Sequence, residues 1–318
     1  MKTNKVCVFF LAVFTAFMVT TTSAQEQPVV LKTSTGDING VLLKPISTKK
    51  IPVVLIIAGS GPTDKDGNQA AVQNNSLKML AESLKQNGIA SLRFDKRGVA
   101  GSIKAVKQES DLRFDNYIDD VTGWINLLAQ DKSFSKIIVA GHSEGSLVGM
   151  IASAKDKRVK KYVSIAGLGK PADEILKEQL SSRPQAVKDL VFPMFDRLKR
   201  GETIPDVPAP LNALFRPSIQ PYMISWFKYN PQNEIKKLKI PSLIIQGDKD
   251  IQVSVKDAHL LTTAAGNKAT EKIIVNMNHV LKNTETTDQT EQIKNIYSNP
   301  SLPLNAEMVK EMVRFVQK

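Results

Sequence analysis

Cysteine is almost absent from this chain: Cys7 is the single thiol, and histidine occurs only at His142, His259 and His279. One thiol excludes a disulfide framework, so stability has to come from a core, which 318 residues can supply. Three histidines leave little choice for a general base. Aromatic residues make up 6% and are not interleaved with the basic ones, which excludes a stacking platform for nucleic acid. The formal charge of +12 is spread over pairs such as Lys49-Lys50, Lys160-Lys161 and Lys236-Lys237. That is a solvated basic surface, with at most a weak attraction to anionic envelope or polysaccharide surfaces. No internal repeat is present.

Long apolar runs are scarce as well. Val6–Val19 follows Lys2 and Lys5 and precedes the small residues Thr22-Ser23-Ala24. It is shorter than the roughly 18–20 residues a span needs, and the order of basic start, apolar stretch and small residues is that of a secretory signal. Residues 1–24 are therefore expected to be a signal peptide cleaved before Gln25, giving an exported chain, periplasmic or secreted, with no stable membrane insertion. Cys7 lies early in the run, not at its end, which argues against lipid attachment, and it would leave with the signal.

In residues 25–318 short apolar runs alternate with amphipathic stretches. Val29–Thr33 and Ile38–Leu43 flank Thr35-Gly36-Asp37 as a hairpin. Ile51–Ala58, Ala90–Phe94, Ile137–Ala140, Lys161–Ala166, Ile240–Gln246 and Lys272–Val275 read as strands. Ser76–Gln86, Asp115–Gln130, Ser146–Ala154 and Val255–Leu261 read as helices. This alternation predicts an α/β fold with a mostly parallel sheet covered on both faces. It is interrupted between Gly167 and Leu238 by helical patches at Asp173–Leu180 and Ala186–Arg200, a proline-rich passage, and Tyr222, Trp226, Phe227 and Tyr229. An insertion of that length is usually functional. Residues 168–238 are expected to form a cap whose Trp226 and Phe227 contact substrate; the alternative is an extension of the core.

The chemistry centres on Gly141-His142-Ser143-Glu144-Gly145, between a strand and a helix. A serine hydroxyl needs exposure, a base and oxyanion donors, and Gly-x-Ser-x-Gly in this setting makes the sharp turn that exposes it. Ser143 is the candidate nucleophile. His142, its neighbour across the turn, points away and packs within the elbow, and His259 lies in a helix away from strand ends. His279, in the loop after Lys272–Val275, remains as general base. Gly247-Asp248-Lys249-Asp250 follows a strand end and offers two carboxylates. Asp250 can turn back toward the imidazole and orient it, whereas Asp248 reads as a turn former. The oxyanion donors are expected to be the backbone amides of Glu144 and of Ser60 in Gly59-Ser60-Gly61-Pro62, with Gly61 as the alternative to Ser60. Asp64-Lys65-Asp66-Gly67-Asn68 has the outline of a calcium loop but lacks the later acidic ligand, so a loop-fastening and helix-capping role is expected instead.

The order Ser143, Asp250, His279 resembles the nucleophile, acid and base order of the α/β-hydrolase superfamily. More narrowly, the stretch from Ala58 to Asn68, Arg93-Phe94-Asp95-Lys96-Arg97-Gly98, the elbow and Gly247-Asp248-Lys249-Asp250 are similar to bacterial serine carboxylesterases with a helical cap, the EstD-like group. One departure is Ala58, where a histidine usually precedes the oxyanion glycine. The resemblance implies hydrolysis of a small-molecule carboxylic ester through an acyl-enzyme, with no cofactor and no metal. The same fold also hosts peptidases, for which Glu174, Glu178 and Asp196 could supply an amine-binding pocket, and non-catalytic binding proteins.

Overall fold

A strand covered on both faces needs apolar side chains at every position, and the continuous apolar runs become the centre of one sheet. The computed structural model describes residues 26–318. The expected signal peptide, residues 1–24, lies outside the described residues. The strands are β1 (Gln27–Thr33), β2 (Gly36–Leu43), β3 (Ile51–Ile57), β4 (Ala90–Phe94), β5 (Phe134–His142), β6 (Val159–Ile165), β7 (Ser242–Gly247) and β8 (Ala269–Ile274), in the spatial order β1-β2-β4-β3-β5-β6-β7-β8. From β4 across to β8 all pairings are parallel; β2 runs antiparallel to β1 and to β4, as the opening hairpin requires.

Alternate residues of the central strands feed two cores. Val53, Leu55 and Ile57 of β3 and Val139 of β5 face α2 (Phe114–Gln130), α3 (Glu144–Lys155) and α9 (Val255–Ala265). Val54, Ile56, Ile138 and Ala140 face α1 (Ser76–Gln86) and α11 (Ala306–Gln317). Each fully buried Leu or Ile on these faces contributes about 2 kcal/mol before entropy is subtracted.

Strand ends shifted where the local chemistry differs from a simple apolar run. β7 begins at Ser242, because Pro241 has no N–H to give the ladder, although its carbonyl still accepts from the Tyr162 amide at 3.1 Å. β8 starts earlier than its apolar part, at Ala269, because an edge strand half-covered by helix accepts Thr270 and Glu271, and it ends before the exposed Val275.

Residues 167–238 carry α4 (Ala172–Gln179), α5 (Gln185–Lys199), α6 (Asn212–Phe215), α7 (Gln220–Trp226) and α8 (Pro231–Ile235). Their apolar residues continue the α2 and α3 core rather than forming a separate one. α10 (Gln289–Asn295) precedes the last helix.

Candidate active site

β5 ends in the elbow. Ser143 has φ 53° and ψ −122°, a conformation an L-residue adopts only under constraint. It is held from both sides: its amide donates to the Ile165 carbonyl at 2.9 Å, and its carbonyl accepts from Ser146 at 3.0 Å. The glycines leave no room for anything larger. A Cβ on Gly141 would strike the backbone of Gly145, and one on Gly145 would lie 2.5 Å from the Ala58 carbonyl oxygen and 2.6 Å from that of Ile57. Other residues at the loops following β6 and β8 share the left-handed region: Ala166 at 49°, Asn276 at 58° and Leu281 at 65°.

β7 and β8 deliver the other two groups. The His279 Nδ1 stands 2.8 Å from Asp250 Oδ2, with the Asp250 side chain wholly buried. Asp250 is fastened in turn by the amides of Gln252 and Val253, at 2.8 and 2.9 Å on Oδ1, and by Gln246 Nε2 at 2.9 Å on Oδ2. Burial works to raise its pKa, but the His279 charge and hydrogen bond, with the amides of Val253 and Gln252, outweigh burial and hold it below the usual carboxylate value. Asp248 faces elsewhere: its Oδ1 accepts from the Asn276 amide at 2.7 Å, tying the β7 turn to the β8 turn. His259 is exposed and pairs with Glu271 on β8.

His142 has a role the sequence did not reveal. Its ring is buried against that of His279, centroids 4.8 Å apart, and its Nε2–H donates to the His279 carbonyl at 2.8 Å. A carbonyl only accepts, so Nε2 carries the proton. Burial, reinforced by the neighbouring His279 charge, pushes the His142 pKa down to about 3, so the ring stays neutral while bracing the His279 loop against the elbow.

Ser143, His142 and His279 line a cavity of about 230 Å³ together with Gly59, Ser60, Thr63, Gln69, Asn74, Ser76, Gln252 and Tyr297. The glycine-rich loop is therefore beside Ser143, and a Cβ on Gly59 would come within 3.1 Å of its Cβ. The following segment is fastened by its own side chains: Asp64 Oδ1 accepts from the amides of Asp66 and Asn68, both at 2.8 Å, and Asn74 Oδ1 accepts from the Ser76 amide at 2.9 Å. Thr63 Oγ1 donates to the Ser60 carbonyl at 2.7 Å.

Trp226 and Phe227 are engaged in packing. Among the described residues neither lines this cavity. Trp226 stacks on Phe114 of α2 at 6.0 Å and neighbours Tyr222, while Phe227 is buried against Phe195. The carboxylates considered as amine anchors are also elsewhere: Glu174 is exposed, Glu178 pairs with Lys170, and Asp196 pairs with Lys177 at 2.5 Å.

A parallel sheet of this order, with one strand reversed near its edge, a sharp Gly-x-Ser-x-Gly turn after β5 and Asp250 and His279 in the loops after β7 and β8, is the α/β-hydrolase fold. Within that class the chain is similar to EstD-like enzymes. The family model described as serine aminopeptidase, S33, matches residues 73–212. The esterase EstD of Thermotoga maritima is 26% identical over 251 residues, covering 76% of this chain. The chain spans 57% of that protein's length. Among solved structures, Est1E from Butyrivibrio proteoclasticus superposes with a TM-score of 0.59 at 17% identity over 91% of this chain and 98% of that one. GrgF from Penicillium sp. sh18, an α/β-hydrolase, gives 0.61 at 16% identity over 92% and 98%.

Proposed function

We propose that this chain is a serine hydrolase that cleaves carboxylic esters of small molecules through an acyl-enzyme, and that it acts after export. The observation that carries the reading is the Asp250–His279 pair, 2.8 Å apart, whose histidine lines one cavity with a serine held at φ 53°. Asp250 holds Nδ1–H of His279, which leaves Nε2 to take the Ser143 proton as Oγ attacks the ester carbonyl. The oxyanion is received by the amides of Glu144, at the positive end of α3, and Ser60. His279 then protonates the departing alcohol, and a water activated by the same imidazole releases the acid.

Ester rather than peptide hydrolysis is favoured by the cavity wall. None of the described residues lining it is acidic, so a substrate's free amine has no partner there, whereas amides and hydroxyls of Gln69, Asn74, Gln252 and Tyr297 suit a neutral polar group. Similarity to EstD and Est1E points the same way, and one structure of Est1E holds ferulic acid. The intact set of Ser143, His279 and Asp250 disfavours a binding protein that has lost its chemistry.

A panel of p-nitrophenyl esters from acetate to palmitate, run beside aminoacyl and peptidyl anilides, tests the reading. The small cavity predicts turnover of short acyl chains and decline toward the long ones. Anilide turnover without ester turnover rejects it in favour of a peptidase. N-terminal sequencing of the exported protein tests the location, with Gln25 expected first.

A further inference from the structure

Lys96, two residues beyond β4, is buried where three parts of the site meet. Its Nζ donates to the Gly59 carbonyl, stands 3.5 Å from Glu144 Oε1 and lies 5.2 Å from the centroid of the Tyr117 ring. Both members of the ion pair are nearly solvent-free, with side chains 3% and 2% exposed. A buried pair seldom stabilises a fold more than apolar residues of the same volume, so stability is a weak reason for its presence beside the nucleophile.

Peptide geometry supplies a stronger reason. The carbonyl of Gly59 and the N–H of Ser60 belong to one planar trans unit and point in opposite directions, so whatever fixes the first aims the second. Glycine gives that unit little steric guidance of its own. The acceptor fixed by Lys96 thus sets the direction of one oxyanion donor, and the carboxylate paired with Lys96 belongs to Glu144, whose amide is the other.

We propose that Lys96 is a positioning residue for the oxyanion hole, clamping the Gly59–Ser60 peptide and the first residue of α3 into one frame. The proposal rests on the reading of Ser143 as the nucleophile of a serine hydrolase. It does not depend on whether the substrate is an ester or a peptide. Burial lowers the Lys96 pKa, against the pull of Glu144, and the clamp survives either charge state because a neutral amine still donates.

The test uses Lys96→Met and the double variant Lys96→Met/Glu144→Gln, the second removing the carboxylate that the first strands. The readouts are thermal unfolding, steady-state kinetics on the best ester, affinity for a trifluoromethyl ketone that binds as a hemiketal, and the rate at which a fluorophosphonate labels Ser143. The double variant should unfold near the wild-type temperature, with kcat lowered about 10²-fold or more and KM within a few-fold, as when one oxyanion donor is lost. Ketone affinity and labelling rate should fall by a similar factor. A folded double variant with wild-type kcat and labelling, or one that loses only KM, overturns the proposal; so does a wild-type Ser143 that takes no label. Labelling that slows in the variants of a wild-type protein that turns over no ester upholds the clamp and rejects the ester reading alone.

Discussion

At the scale of single residues the two aspartates of Gly247-Asp248-Lys249-Asp250 separate cleanly. Asp250 touches His279, and Asp248 touches the Asn276 amide. Asp250→Asn should lower kcat by a factor approaching 10⁴ near neutral pH, because the amide favours the wrong imidazole tautomer. Asp248→Asn keeps an oxygen for the Asn276 amide and should stay within about tenfold. Steady-state rates at equal folded fraction decide between them, and the reverse order would exchange the two roles. His142 supplies a pH prediction. Its folded pKa, about 3, is below the usual histidine value of about 6.5, so unfolding takes up a proton throughout that window. The stability it supplies is complete above about pH 6.5 and declines as pH falls toward 3, at up to ~1.4 kcal/mol per unit. Asp250, depressed as well, loses its share lower, as pH falls through its folded value beneath about 3.9. His142→Gln retains a donor for the His279 carbonyl and no titrating ring. Urea unfolding at pH 7 and 4.5 should differ less in this variant than in the wild type, and an unchanged difference would place the acid sensitivity elsewhere.

At the scale of elements, the elbow depends on β3 and α3 approaching almost to backbone contact. Gly145→Ala sets a methyl 2.5 Å from a carbonyl oxygen that cannot yield, so it should cost about 3 kcal/mol and most activity. Gly149→Ala, one turn along α3, meets the movable ends of Ile57 and Val139 at 2.9 Å and should be milder on both counts. Chemical denaturation and ester turnover compare the two. These elements were legible in the sequence because their signals are local: a β-branched run, a Gly-x-Ser-x-Gly turn, and a glycine-rich loop after an unbroken apolar strand. The histidine in Asn276-Met277-Asn278-His279 could be singled out because only three histidines exist. What could not be read depends on contacts across the sheet. Nothing in Gly-His-Ser-Glu-Gly says that His142 bonds to a carbonyl 137 residues on, and nothing in Asp95-Lys96-Arg97 says that the lysine turns inward to Gly59. Trp226 and Phe227 were ambiguous for a related reason, since a buried stripe and a pocket wall have the same spacing. Trp226→Ala should therefore lower stability by about 3–5 kcal/mol while leaving the acyl-length profile unchanged. A shifted profile in that variant would return Trp226 to the substrate.

At the scale of the whole molecule, the inserted helices share a core with the sheet. Phe114 of α2 stacks on Trp226, and its amide donates to Ser225 Oγ at 2.7 Å. The two tryptophans divide conveniently, Trp124 against the sheet and Trp226 in the insertion. In each single-tryptophan variant, Trp226→Phe and Trp124→Phe, the fluorescence transition should coincide with the loss of secondary structure and of activity, as one cooperative unit requires. An earlier transition at Trp226 would make the insertion an independent lid. The left-handed residues at Ser143, Ala166, Asn276 and Leu281 follow β5, β6 and β8, and so line up along a single edge of the molecule. Each departs from the residue that the backbone alone would favour, which is glycine. On the reading of Ser143 as the nucleophile, a lineage released from turnover would relieve backbone strain by drifting to glycine at position 143, whereas Leu281, buried in the core, would lose more by shrinking than the backbone would gain.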